Sequence, residues 1–109
     1  MAYDIALNNR VTAIIAHWEG VEAKRMFGGI CYLIHGNMFG GVYQDFLILR
    51  LGEAAASEAL MLPFVRPLDI TGKPLKGWVM VAKEGVESDA DVRAWLEKAK
   101  AFALSLPPK

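Results

Sequence analysis

The segment 24–50 constrains the fold more than any other part of this sequence. Three apolar stretches begin within it, at residues 30–35, 38–43 and 46–51, and they are rich in the β-branched and aromatic residues preferred in strands. Gly36-Asn37 separates the first two stretches, with glycine first as a type II′ hairpin prefers, and Gln44-Asp45 separates the last two. The segment therefore predicts a three-stranded antiparallel meander.

Three other segments have helical patterns. In residues 7–18, apolar side chains recur at three- and four-residue spacing along one stripe. The alanine-rich segment 53–62 favours a short helix, which Pro63 would end because proline cannot continue the hydrogen-bond ladder. In residues 88–106, apolar side chains again recur at helical spacing, and Ser88 at the start is a good N-cap residue. These segments predict helices before, between and after strands.

Two further stretches read as strands. Residues 65–70 could form an edge strand, where prolines are tolerated, and residues 78–82 read as a more central one. The element order is then α-β-β-β-α-β-β-α. It packs most simply as a two-layer α+β sandwich, an antiparallel sheet with the helices on one face, in one domain over residues 1–109.

Charge and cysteine content restrict the partners and the compartment. Twelve basic residues balance twelve acidic ones, so the whole molecule lacks the positive charge of a strong nucleic-acid binder. Cys31 is the only cysteine, which agrees with a reducing compartment. No apolar stretch approaches the length of a membrane span, and residues 1–10 lack the order of a signal peptide. We expect a cytoplasmic protein without membrane contact.

Apolar residues occupy both predicted faces of the sheet. They make up 54% of the sequence, with a mean hydropathy of +0.27, which is high for 109 residues. Monomers rarely expose large apolar patches, so this two-sided pattern predicts a homodimer; in the alternative interpretation, loops and the central helix cover the second face. The candidate dimer face consists of Tyr32, Ile34, Phe46 and Ile48.

A basic segment offers a second candidate surface. Arg66, Lys73, Lys76 and Lys83 outnumber the lone Asp69 there, and Trp78 lies among them. These residues could contact an anion, a protein or a nucleic acid, although such charge runs are most often solvated surface. A related alternative is a pocket for a small anionic ligand, or an enzymatic site, between Gly40-Gly41 and the loop that carries Lys73 and Lys76.

The sequence supplies no recognisable catalytic set. Cys31 and His35 share a face of one predicted strand but would stand about 13 Å apart, too far for a nucleophile and its base. The carboxylates show no convergent pair, and Gly28-Gly29 precedes a strand rather than a helix, so it does not resemble a phosphate-binding loop. We therefore expect no enzyme activity, no cofactor and no metal site.

Three motifs resemble one known family. They are Lys24-Arg25-Met26-Phe27-Gly28-Gly29, the turn Gly36-Asn37-Met38, and the segment 72–78 with sequence GKPLKGW. Together with the tail 101–109, they resemble short, stand-alone members of the TfoX/Sxy competence regulators, N-terminal domain. The resemblance runs from about Val21 to the end of the sequence.

The resemblance implies a secretion-chaperone-like α/β domain and a role beside the cyclic-AMP receptor protein as a coactivator of DNA-uptake genes. Full-length regulators of that family carry a second, helical domain, whereas this sequence ends at Lys109. We expect a non-enzymatic regulatory domain that acts through protein contacts, with a transcription factor as one partner. The alternatives are the small-ligand or enzymatic module and weak direct DNA binding through the segment from Arg66 to Lys83.

Overall fold

The computed structural model describes residues 3–26, 28–69 and 72–108, and these residues form three α-helices and six strands. The helices are α1 (Ile5–Ile15), α2 (Glu53–Ala59) and α3 (Asp89–Leu104). The strands are β1 (Val21–Met26), β2 (Gly29–Ile34), β3 (Asn37–Tyr43), β4 (Phe46–Arg50), β5 (Val65–Pro67) and β6 (Trp78–Val81).

The strands form one antiparallel sheet in the order β1-β2-β3-β4-β6-β5. All three helices contribute side chains to a single core cluster with the sheet, so they lie on the same face. The expected α+β class, with helices on one face of an antiparallel sheet, is confirmed. The element order agrees with the prediction apart from one additional strand.

That additional strand is β1, which the sequence pattern did not predict. It pairs with β2 without interruption from Val21↔Ile34 to Met26↔Gly29. Five of its six residues are exposed, so it carries charged side chains instead of an alternating apolar pattern. Gly28 turns the chain between the two strands with φ +78°, a backbone conformation that glycine adopts readily.

The β2–β3 hairpin turns one residue earlier than the sequence predicted. His35 and Gly36, with φ +50° and +83°, are its two loop residues, which is the type I′ pattern rather than type II′. Asn37 is consequently the first residue of β3 and not part of the turn. Its buried side chain donates a hydrogen bond from Nδ2 to the Pro107 carbonyl oxygen at 2.9 Å, which joins this hairpin to the segment after α3.

Several predicted elements are shorter in the structure. The first helix ends at Ile15 and the second at Ala59, and the last ends at Leu104. The edge strand predicted over residues 65–70 extends only from Val65 to Pro67, and Ile70 lies outside the described residues. Proline removes a backbone donor, so the ladder cannot continue regularly past Pro67.

The core lies between the three helices and the sheet face that they cover. Its largest fully buried side chains are Tyr32, Phe39, Leu47, Leu49 and Leu96. Three hydrogen bonds connect α3, the segment before it and α1. The Trp95 indole Nε1 donates to the Gly85 carbonyl at 3.0 Å, and Arg10 of α1 bonds both Asp89 and the Val86 carbonyl. None of the three helices that the structure describes lies on the opposite face of the sheet.

Candidate partner surface on the helix-free face

A row of residues crosses the helix-free face from one edge of the sheet to the other. Strand register places each member directly opposite the next, and opposite residues in antiparallel strands point to the same side. Charged residues lie at the two ends of the row and apolar ones between them. In order, the row is Lys24, Cys31, Gly41, Ile48, Met80 and Arg66.

A cavity of about 130 Å³ lies on this face above Gly41. Leu68 and Leu75, from the connection between β5 and β6, form one side of it, and Trp78 lies beside them. Leu68 is buried, whereas Leu75 remains 47% exposed. The described residues that line this apolar cavity are Met26, Gly29, Ile30, Cys31, Met38, Gly41, Val42, Tyr43, Ile48, Leu68, Leu75 and Trp78.

The cavity lies near the position of the pocket that was predicted from the sequence, between Gly41 and the loop that carries Lys73 and Lys76. Its chemistry differs from the prediction, because none of the described lining residues is charged. An anion would leave water without gaining a counter-charge there, which is unfavourable. The geometry therefore favours an apolar occupant over an anionic one.

The protein's own strands approach one another closely at Gly40 and Gly41. A Cβ atom on Gly41 would lie 2.4 Å from the Ile30 carbonyl oxygen, and one on Gly40 would lie 2.8 Å from the Ile48 carbonyl oxygen. Gly29 has the same relation to the Val42 carbonyl oxygen, at 2.4 Å. These glycines let neighbouring backbones approach, which is the packing role that strand glycines often have.

Cys31 and Tyr32 show how differently the two faces are used. Burial raises the pKa of the Cys31 thiol, so the residue is a neutral, apolar part of the cavity floor at neutral pH. Tyr32 points to the opposite face, where its hydroxyl donates to Asn8 Oδ1. Burial, with smaller contributions from Tyr3 and Cys31, raises the pKa of Tyr32 as well. Neither group is poised as a nucleophile or a base.

The predicted dimer face is divided between the two sides of the sheet. Tyr32 and Ile34 belong to the core under the helices, with 0% and 2% of their surface exposed. Phe46 and Ile48 lie on the helix-free face, as their alternation with Leu47 indicates. Tyr32 and Ile34 are therefore not available to a partner of the folded domain, and the candidate surface has to be drawn around Ile48 instead.

The predicted basic surface separates into two parts at the two ends of β6. At one end, the Lys83 ammonium lies 3.7 Å from the Asp45 carboxylate. The Arg66 guanidinium stands over the Phe46 ring there, at 5.5 Å. Trp78 begins β6 at the other end, about 10 Å away along the strand. The sequence-based grouping of these cations into one surface is thus not reproduced.

The Trp78 end contains a cation that sequence reasoning did not assign to it. The Arg50 guanidinium lies 5.6 Å from the Trp78 ring and 5.5 Å from the Phe102 ring, so it is held between two aromatic side chains. Lys76 and Trp78 line a second groove, which separates α2 from the segment 74–78. Lys73 is exposed in the connection between β5 and β6, and it lines neither the cavity above Gly41 nor this groove.

Among residues 3–26, 28–69 and 72–108, no three His, Cys, Asp or Glu side chains converge at metal-binding distance. None of the helices that the structure describes has both the length and the apolar composition needed to cross a bilayer.

A family comparison decides the classification. The family model of the TfoX N-terminal domain matches residues 13–103 of the 109-residue chain. The chain belongs to the TfoX N-terminal domain family. The resemblance inferred from the sequence motifs is therefore confirmed, and membership of the family supports, at most, a competence-related regulatory domain. No match was found among curated proteins.

The cavity of this TfoX N-terminal domain includes residues that sequence reasoning did not single out. Met38, Leu68 and Leu75 contribute to its lining, together with Tyr43. Strand alternation could have placed Met38 on the face of Cys31 and Ile48. The positions of Leu68 and Leu75 depend on how the irregular connection between β5 and β6 folds back over the sheet, which no local pattern encodes.

Proposed function

We propose that this TfoX N-terminal domain is a non-enzymatic regulatory domain that binds partner proteins through its helix-free face in transcriptional regulation. The observation that carries the proposal is the apolar cavity above Gly41, with exposed apolar side chains at its margin. Leu75 and Met26 are 47% and 38% exposed there. Apolar surface rimmed by polar groups is typical of protein interaction sites.

The surroundings of the cavity suit a protein partner. Lys24 and Arg66 stand at the two ends of the row that crosses this face, so an apolar centre lies between cationic margins. Interfaces commonly combine a desolvated apolar centre with a charged rim that affects the association rate. A partner with an apolar side chain for the cavity and acidic residues around it would fit both features.

We propose further that the domain forms a homodimer in the cytoplasm, as expected from the sequence. The net charge of the chain is zero, so long-range repulsion does not oppose the association of two copies. Tyr32 and Ile34 lie in the core, so they take no part in the contact between the copies.

The first experiment is a pull-down of the tagged chain from lysate of its source cell, with and without nuclease. Recovery of a transcription factor or polymerase subunit that survives nuclease treatment is the expected result, because direct protein contact does not require DNA. If only the untagged chain itself is recovered, the regulatory part of the proposal fails. The homodimer part would then remain.

A second candidate function is binding of a small, uncharged, apolar molecule in the cavity. Its volume of about 130 Å³ is close to that of apolar cavities that take up one benzene molecule, about 150 Å³. Binding to the native state raises the apparent stability, so benzene or indole at millimolar concentration should raise the melting temperature. Benzoate serves as the matched anion. If benzene and indole raise the melting temperature no more than benzoate does, or do not raise it at all, the cavity does not bind small apolar molecules.

A further inference from the structure

The two edges of the sheet are protected very differently. The β5 edge is three residues long and contains Pro67, which cannot donate a backbone hydrogen bond. Short edge strands with proline are a common protection against pairing with another chain. The β1 edge is six residues long and contains no proline. Its pairing with β2 has no bulge, so its backbone presents a regular outer edge.

Nothing among the described residues pairs with that outer edge. β1 is a terminal strand of the sheet, and Glu22, Ala23, Lys24 and Arg25 are all exposed. An exposed, regular edge offers a row of backbone donors and acceptors to an incoming strand. The charged side chains of β1 are its remaining protection against pairing with another strand. This protection is incomplete, because charges repel in some registers of the pair and attract in others.

The possible registers of two antiparallel β1 strands can be compared by their charges. Opposite residues in such a pair point to the same side of the sheet, so a symmetric pair must be centred on one residue. Centring on Glu22, Lys24 or Arg25 places two like charges directly opposite each other, which is destabilising. Centring on Ala23 places Glu22 of each copy opposite Lys24 of the other, which is stabilising.

We propose that two copies of this chain associate by antiparallel pairing of their β1 edges, centred on Ala23. The pairing opposes Ala23 to Ala23, Glu22 to Lys24 twice, and Val21 to Arg25 twice. The small Ala23 side chain at the centre allows the two strands to approach. The inference rests on the homodimer of the proposed function and assigns the contact that forms it.

The pairing joins two six-stranded sheets into one continuous sheet. Its two-fold axis is perpendicular to the sheet, so both helix-free faces point to the same side. The two cavities above Gly41 then face one direction and remain open. A dimer of this kind presents a doubled apolar surface to a partner, whereas a dimer that packs the two helix-free faces together would hide it.

Cysteine cross-linking tests the register directly. Opposed Cα atoms in an antiparallel pair lie about 4.5–5.5 Å apart, within the range that a disulfide requires. The Ala23→Cys variant should therefore form a cross-linked dimer under mild oxidation. The matched control is Arg25→Cys, another exposed residue of β1, whose two copies would lie about 13 Å apart along the strands and should not cross-link. Equal cross-linking of both variants, or of neither, overturns the inference.

Charge reversal provides a second test in solution. Glu22→Lys or Lys24→Glu alone places like charges opposite each other twice, so each should weaken dimerisation about tenfold or more in sedimentation experiments. The combined Glu22→Lys/Lys24→Glu variant restores both opposite-charge pairs and should recover the wild-type association. Glu97→Lys, the same charge change on the exposed surface of α3, is the control and should have no effect.

Each result separates this inference from the proposed function. A wild-type chain that stays at 12.0 kDa at high micromolar concentration overturns the inference together with the homodimer. If the single charge reversals do not weaken dimerisation, or the double variant does not restore it, the β1 contact alone is overturned. The pull-down of transcription machinery does not depend on either outcome.

Discussion

Gly41 shows how a single residue determines the approach of two strands. A Cβ at this position would stand 2.4 Å from the Ile30 carbonyl oxygen, a separation that ordinary side chains do not adopt. Because that oxygen belongs to the backbone of a paired strand, β2 and β3 would have to separate to accept any other residue. The same glycine forms part of the cavity floor, so its replacement would disturb the candidate surface as well as the sheet.

We expect Gly41→Ala to lower the free energy of unfolding by about 3 kcal/mol, the upper range for overpacking. The comparison is Gly72→Ala, which adds the same methyl group where nothing lies within 4 Å. That variant carries only the strain of its φ of +90° and should lose about 1 kcal/mol. Urea unfolding of both variants measures the difference. Equal losses would show that strand approach is not the cause.

Two buried groups make stability depend on alkaline pH. Burial raises the pKa of both Cys31 and Tyr32, so the folded state keeps their protons at pH values where the unfolded chain releases them. The unfolded values are about 8.5 for cysteine and about 10 for tyrosine. Through these groups, stability is unaffected below about pH 8.5 and falls as the pH rises above it, because the unfolded state then binds fewer protons.

Urea unfolding between pH 7.5 and 11 should show this fall in two stages. The Cys31→Ala variant should lose the first stage, and Tyr32→Phe should show a shallower fall above about pH 10. Both variants also change packing or a hydrogen bond, so the slope against pH is the quantity to compare, not the stability at one pH. A wild-type stability that rises above pH 9 would contradict the assignment.

At the level of elements, the sequence predicted α3 from its helical spacing, and β2, β3 and β4 from their β-branched and aromatic residues between turn residues. β1 was missed because a strand at the sheet edge buries almost nothing, so its residues 21–26 lack the alternation that identifies strands. Its existence depends on pairing with β2 rather than on its own apolar residues. The turn was predicted one residue too late, at Gly36-Asn37 instead of His35-Gly36. The reason is that the buried Asn37 side chain belongs to β3 and bonds Pro107, which lies 70 residues away in sequence.

The start of α3 provides a prediction at this scale. Ser88 accepts a hydrogen bond from the Asp91 backbone nitrogen at 3.0 Å, and the Asp91 carboxylate accepts one from the Ser88 nitrogen at 3.4 Å, which together form a capping box. Ser88→Ala should lower the free energy of unfolding by about 1 kcal/mol in urea titrations. Ser57→Ala, in the middle of α2, is the matched control and should be near neutral. No loss on replacing Ser88 would show that the cap does not stabilise α3.

For the whole molecule, the sequence predicted a sheet with two apolar sides but could not tell which side the helices cover. Tyr32 and Phe46 are both apolar strand residues, and only the tertiary arrangement places one in the core and the other on the helix-free face. The position of the pocket near Gly41 was predictable from the glycine pair. Its apolar character was not, because Leu68 and Leu75 reach it from a connection without regular structure.

Binding of the partner at the helix-free face can be tested with two leucine substitutions in a quantitative pull-down. Leu75, at the margin of the cavity, and Leu104, near the end of α3, are 47% and 49% exposed, so glutamate at either position should leave the fold intact. Leu75→Glu should reduce the retained transcription partner at least about tenfold, since it places a charge in a desolvated contact. Leu104→Glu should retain wild-type amounts. Loss of the partner with Leu104→Glu and its full retention with Leu75→Glu would show that the partner does not bind at the helix-free face.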